Sequence, residues 1–330
     1  MAERAARFRV PALLLLVVSG VCAQQPAEEW KKAMATGMEA YRTEKFRDAE
    51  KRFKQALKLA EAISPEGFQV ASTLTYLGMT SRALREPIKA EPLFKRALVL
   101  LEKNQGPSHP DLAFVLNQLG LIYYERIPGT RYGRSPVAVV TTQTMVVAIP
   151  GVNIGAPALT AQQVASDIEV ELNRATRRAI EENFAPAEVC FQRVLAIDAR
   201  NHGADSPQLV PTLALLGDLY YATRHYPESE TTLHRALAIV AKHVGADSAD
   251  AASLMVRLAN SARRQKNHAE AEKLYSRALA IQVQTLGPEH PDLIPTLESF
   301  GALLKELDRK DEAKQLEQRA SVIRKLSSKR

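Results

Sequence analysis

His109 and His290 stand in one local frame, Gly-Pro-x-His-Pro-Asp-Leu, each with a carboxylate two residues further on. A histidine beside an aspartate is the seed of an acid–base or metal site. Here the frame belongs to a longer repeating pattern, and each histidine falls where a connector turns into a helix. A capping or loop role is therefore expected, not metal ligation. His225 and His234 lie nine residues apart with no carboxylate set to complete a site. Cys190 reads as a small buried apolar residue. Most acidic residues follow the repeat, as the Ala-Glu pairs at 49–50, 90–91, 187–188 and 271–272 show. Gly-x-x-x-x-Gly-Lys-Ser/Thr, Gly-x-Ser-x-Gly and His-Glu-x-x-His are all missing from the chain. With no nucleophile, metal set or phosphate loop, the expectation is a protein that is not an enzyme and has no cofactor or metal.

The elements that hold these residues come from self-comparison. Four stretches share a pattern: Gly106-Pro-Ser-His-Pro-Asp-Leu with Leu119-Gly120, Gly203-Ala-Asp-Ser-Pro with Leu216-Gly217, Gly245-Ala-Asp-Ser with Leu258-Ala259, and Gly287-Pro-Glu-His-Pro-Asp-Leu with Phe300-Gly301. Small residues recur with a period of 41 from Gly37 to Gly78. The period is 42 from Gly78 to Gly120, from Gly217 to Ala259 and from Ala259 to Gly301. A fixed period of this size marks a solenoid. Each small residue is followed by an amphipathic stretch such as Lys89-Ala-Glu-Pro-Leu-Phe-Lys-Arg-Ala97 or Ala269-Glu-Ala-Glu-Lys-Leu-Tyr-Ser-Arg-Ala278. Ala271, Leu274, Tyr275, Ala278 and Leu279 share one helical face. The small residue lets two backbones nest, and Phe53, Phe94, Phe191 or Tyr275 fills the gap beside it.

The order Leu-Gly…Ala…Phe/Tyr…Ala resembles the tetratricopeptide repeat (TPR). The 42-residue period and the Gly-Pro-x-His-Pro-Asp-Leu linker resemble the longer repeats of kinesin light chains. The resemblance implies an all-α, right-handed TPR solenoid of about six helix pairs. The repeats fall at about 28–63, 67–104, 110–125 joined to 183–200, 206–242, 248–284 and 290–326. In the last, Glu317 takes the aromatic position, as suits a terminal cap.

The third repeat is interrupted by 55 extra residues. Pro136 to Ser166 carries no charge, and Val137–Ile149 is β-branched and ends at Pro150-Gly151, so it reads as a strand or hairpin. A helix follows, opened by Thr160 with Gln163. It is either the first helix of the third repeat or part of a bulge from 110–125. The expected organisation is 1–23, a signal peptide; 24–125, two repeats and the first helix of a third; 126–182, the insertion, a β-prone loop plus helix; and 183–330, the remainder with a basic tail.

Residues 1–23 carry Arg4, Arg7 and Arg9, then a short apolar run from Val10 to Val21, then Val21-Cys22-Ala23. This is the pattern of a secretory signal peptide cut after Ala23. The run is too short for a membrane span. Lipidation of Cys22 is the alternative, against which Val21 stands as a bulky neighbour. The chain is expected in the periplasm or outside the cell, with no integral membrane span. Its formal charge of +7 is spread along the helices, which argues against nucleic acid as a partner.

In the TPR family the first helices of the pairs line a concave groove that takes peptides. By position the resemblance implies that Tyr41, Arg42, Tyr76, Arg82, Asn117, Gln118, Tyr124, Asp218, Tyr221, Arg257, Asn260, Arg263 and Arg264 face that groove. Aromatic and Arg residues suit hot spots, and Asn can pair with a peptide backbone through donor and acceptor. The full carboxylate-clamp set of Lys, Asn and Arg is lacking. The expected partner is a protein or peptide; the competing reading is self-association through residues 127–159 in an envelope structure.

Overall fold

The computed structural model describes residues 12–128 and 161–328. The β-prone stretch at 137–149, most of the self-association segment at 127–159 and the first eleven residues of the expected signal peptide lie outside the described residues. Twelve α-helices are described: α1 Ala12–Arg42, α2 Phe46–Ile63, α3 Phe68–Ala83, α4 Pro87–Gln105, α5 Pro110–Arg126, α6 Ala161–His202, α7 Val210–Ala222, α8 Tyr226–His243, α9 Ala249–Arg264, α10 His268–Leu286, α11 Ile294–Glu306 and α12 Lys310–Ser327. Single 3₁₀ turns, Pro207–Leu209 and Pro291–Leu293, lead into α7 and α11. No strand occurs among the described residues, and no helix there is long and apolar enough to cross a membrane. The chain divides into two compact units, Met1–Leu119 and Gly120–Arg330.

In the first unit α1 pairs with α2 and α3 with α4. The small residue of each first helix sits against the aromatic of the second. A Cβ on Gly37 would lie 2.5 Å from Phe53 Cε1, and one on Gly78 would lie 2.7 Å from Phe94 Cε1. Only a glycine allows that approach. Phe53 and Phe94 are fully buried, each worth roughly 1.5–3 kcal/mol of apolar burial. Trp30 Nε1 donates to Thr73 Oγ1 at 3.0 Å and links α1 to α3.

The second unit repeats the device. Gly120 nests on Phe191, with a Cβ-to-Cε1 distance of 2.7 Å, and Gly217 nests on Leu233. Ala259 and the fully buried Tyr275 belong to one core cluster. At Gly301 the nearest side-chain atom, Glu317 Cγ, is 3.7 Å away, so the last pair lacks the lock, as Glu317 foretold.

The Gly120–Phe191 contact decides the open question about the third repeat. α5 is its first helix, and the residues before about 187 extend its second helix toward the N-terminus. The reason is continuity: α6 runs unbroken from Ala161 to His202 with Pro186 inside it, and Asn183 Nδ2 bonds the Ala179 carbonyl at 2.8 Å just upstream.

The turns follow one chemistry. Glu44, Arg85, Arg224, Lys266 and Asp308 hold φ between 58° and 66° between the two helices of their pairs. The next amide reaches back to the first helix, as in His225 N to Tyr220 O at 2.8 Å and Asn267 N to Ala262 O at 2.9 Å, the Schellman pattern. Between pairs, His109 Nδ1 accepts from Asp111 N at 3.3 Å and His290 Nδ1 from Asp292 N at 3.2 Å. Ser248 Oγ accepts from Ala251 N at 3.2 Å. The two linker histidines are helix caps.

Candidate partner-binding groove

In the second unit, α7, α9 and α11 are the first helices of successive pairs. α9 turns Ser253, Val256, Arg257 and Asn260 to one side, the spacing of a single helical face. Between this face, α7 and α11 lies a groove of about 580 Å³, to which Asp218, Tyr221, Gln282, Asp292 and Thr296 also contribute.

The polar side chains are held by one another. Arg257 makes an ion pair with Asp218, both about one-fifth exposed, and also reaches the Ala214 carbonyl at 3.4 Å. Tyr275 donates its buried hydroxyl to Asn260 Oδ1 at 2.6 Å. That bond fixes the amide and leaves Nδ2 with no partner among the described residues. Arg264 Nε donates to Tyr221 Oη at 3.3 Å, and this bond raises the guanidinium's pKa further. Burial pushes the Tyr275 phenol far above its ordinary value, so it stays a donor. The groove thus presents an amide donor, a phenol and a half-shielded ion pair, with Asp292 at its edge.

The structure brings Tyr124, Asp218, Tyr221, Arg257 and Asn260 together in this groove. Tyr124 differs from the expectation: it is 1% exposed and packs edge-on against Phe191 at 6.5 Å. It stands four residues after Gly120, on the face that nests against α6, so it borders the groove while packed into the core. Arg264 supports Tyr221 from beside it. Arg263 turns away toward Glu306 at 3.5 Å, with its side chain 13% exposed.

The positions expected in the first unit form no single site. Arg82 donates to Gln118 Oε1, while Asn117 lies beside Gln118 with Oδ1 buried. Tyr76 stacks on Phe53 at 5.4 Å, Tyr41 packs on Phe46 at 5.4 Å, and Arg42 lies exposed against Glu39 at 2.9 Å. Missed at the second unit's groove were Ser253, Gln282, Asp292 and Thr296. Asp292 carried a signal, since it belongs to the linker motif; Gln282, on a second helix, carried none.

The family model described as Tetratricopeptide repeat matches residues 69–126 and 250–325, and a second model of the same description matches 212–250. Together they account for just over half of the chain.

The chain belongs to the tetratricopeptide-repeat family.

Among solved structures this tetratricopeptide protein is similar to BtubC (BKLC) from P. vanneervenii. The TM-score is 0.54 at 17% identity, over 91% of this chain and 92% of that one. It is similar to the nearly identical TPR-like repeats of a protein assigned as a kinesin light chain from Podosopora anserina: TM-score 0.54, 15% identity, 79% and 97% covered. The apo form of RapI gives a TM-score of 0.50 at 11% identity, covering 92% and 100%. At these identities the likeness is one of fold, an all-α TPR solenoid. No curated protein matches the chain.

Proposed function

We propose that this TPR protein is an exported scaffold that binds a protein or peptide partner in the groove between α7, α9 and α11. The fold is one used for protein–protein interaction, and the groove supplies the detail. One observation carries the reading: the side chains that would meet a partner are already locked. Tyr275 fixes Asn260, Arg264 braces Tyr221 and Asp218 orients Arg257. Ordering costs that a loose surface would meet on binding are therefore small. Asn260 offers Nδ2 to a peptide carbonyl, Asp292 accepts from a peptide N–H or a cation, and Tyr221 supplies flat apolar contact. The groove's function is holding, not catalysis.

The experiment immobilises residues 24–330 beside a chain carrying Tyr221→Ala, Asn260→Ala and Arg264→Ala. Envelope proteins are passed over both, and what binds is identified by mass spectrometry and then titrated in purified form. A protein held by the native chain and lost from the triple variant supports the groove. Equal capture by both chains removes these residues from the interface.

A further inference from the structure

A second recess lies in the first unit, in the same repeat register as the groove above. It occupies about 400 Å³ and is lined chiefly by Phe68, Tyr76, Met79, Leu101, Asp111 and Phe114. Laid over the second unit in repeat register, these six fall in turn on Ala249, Arg257, Asn260, Gln282, Asp292 and Pro295, every one of them a groove position. The repeat therefore builds one slot twice and lines it with different chemistry.

This internal comparison is informative because the helix pairs of the second unit fold with Ala, Arg, Asn, Gln and Pro at those places. Tyr76 and Leu101 also pack into this unit's own core, but packing of the repeat does not demand Phe68, Met79 or Phe114. Yet Phe68 is 42% exposed and Phe114 is 43% exposed, in a recess whose floor is apolar. Clustered exposed apolar side chains of this kind mark contact surfaces. Among the described residues one charge lines the recess, the exposed Asp111 carboxylate, with His109 Nδ1 3.7 Å away; no described Lys or Arg lines it.

We infer that this recess docks a segment of a partner protein carrying one bulky apolar side chain next to a lysine or arginine. The apolar side chain fills the space between Phe68 and Phe114 and rests on Met79 and Leu101. The neighbouring cation meets Asp111 and the faces of the exposed rings, to which a cation is attracted. The site is separate from the groove of the proposed function and stands or falls without it.

The test uses the full chain and three fluorescently labelled peptides, identical but for a central Lys-Trp-Lys, Glu-Trp-Glu or Lys-Ala-Lys, read by anisotropy. Lys-Trp-Lys is expected to bind about tenfold tighter than either control, a difference of about 1.4 kcal/mol. Phe114→Ala and Phe68→Ala should remove that binding, and Asp111→Asn should bring Lys-Trp-Lys to the level of Glu-Trp-Glu. Thermal melts report whether the Phe variants keep their fold; if one does not, Asp111→Asn decides the matter, since it leaves the apolar floor intact. Equal binding of Lys-Ala-Lys, binding untouched by Asp111→Asn, or no saturable binding overturns the proposal. So does a dimer that dissociates in the Phe114→Ala chain, which would put a second copy in the recess.

Discussion

Gly120 and Phe191 stand on opposite sides of the long insertion, yet a Cβ on the glycine would lie 2.7 Å from the phenylalanine ring. In the neighbouring pairs the same contact joins the two arms of one short helical hairpin, as between Gly78 and Phe94. The third repeat is complete despite what separates its helices.

The lock can be weighed by substitution. Gly120→Ala forces a methyl into the Phe191 ring and should lower stability by about 1–2 kcal/mol, overpacking outweighing better helix propensity. Gly301→Ala meets nothing closer than 3.6 Å and should raise stability by about 0.5–1 kcal/mol. Urea unfolding of both variants at equal m-value checks the opposite signs; changes of the same sign would sink the lock.

The turns predict a gain. Lys266 sits at φ 62°, where a side chain costs roughly 1 kcal/mol or more and glycine does not. Lys266 is also exposed. Lys266→Gly should therefore raise the melting temperature. A lower value would mean that the Lys266 side chain makes contacts worth more than the strain.

Tyr275→Phe removes one hydroxyl from a buried ring. It should cost about 0.5–1.5 kcal/mol and release the Asn260 amide. In titrations with a captured partner, affinity should fall although position 275 touches no ligand. A partner bound equally well by the variant would show that Asn260 needs no brace.

Alkaline pH probes the α6–α7 contact. Burial, then the hydrogen bond to Glu188, push the Tyr220 phenol up to about 12 from 10.0; the hydroxyl donates to Glu188 Oε1 at 2.7 Å. A raised folded pKa means the neutral phenol is favoured in the folded chain. Its contribution is complete below about pH 10 and is lost as pH rises through about 12. Stability of the native chain should fall more steeply across that window than stability of Tyr220→Phe. Parallel curves would place the phenol in water.

Export has a direct check. N-terminal sequencing of the protein recovered from its source should begin at Gln24; a chain beginning at Met1 would refute the signal-peptide reading.

Helix pairs were legible in the sequence because close packing is periodic: Gly37, Gly78, Gly120, Gly217, Ala259 and Gly301 mark first helices, and Phe53, Phe94, Phe191 and Tyr275 mark second helices. The fate of the helix before Asn183 was not legible, since an amphipathic stretch reads alike as a first helix or as an extension of a second. Asp218, Tyr221, Arg257 and Asn260 came together because a repeat carries its register from pair to pair. Tyr124 was placed by the same register and proved buried, as phase cannot report how large the facing ring is. Gln282 and Leu101 were invisible because they belong to second helices, whose ends reach the groove only once the next pair is stacked.

The connection between α5 and α6 runs from Arg126 to Ala161, whereas that between α7 and α8 runs only from Ala222 to Tyr226. Gly120 and Phe191 stand 71 positions apart in the sequence, whereas Gly78 and Phe94 stand 16 apart. The other pairs close between helices that neighbour one another in sequence, whereas Gly120 meets a partner far along the chain. Contact order is raised at this one step, so closure of the third repeat is expected to be the slow event in folding.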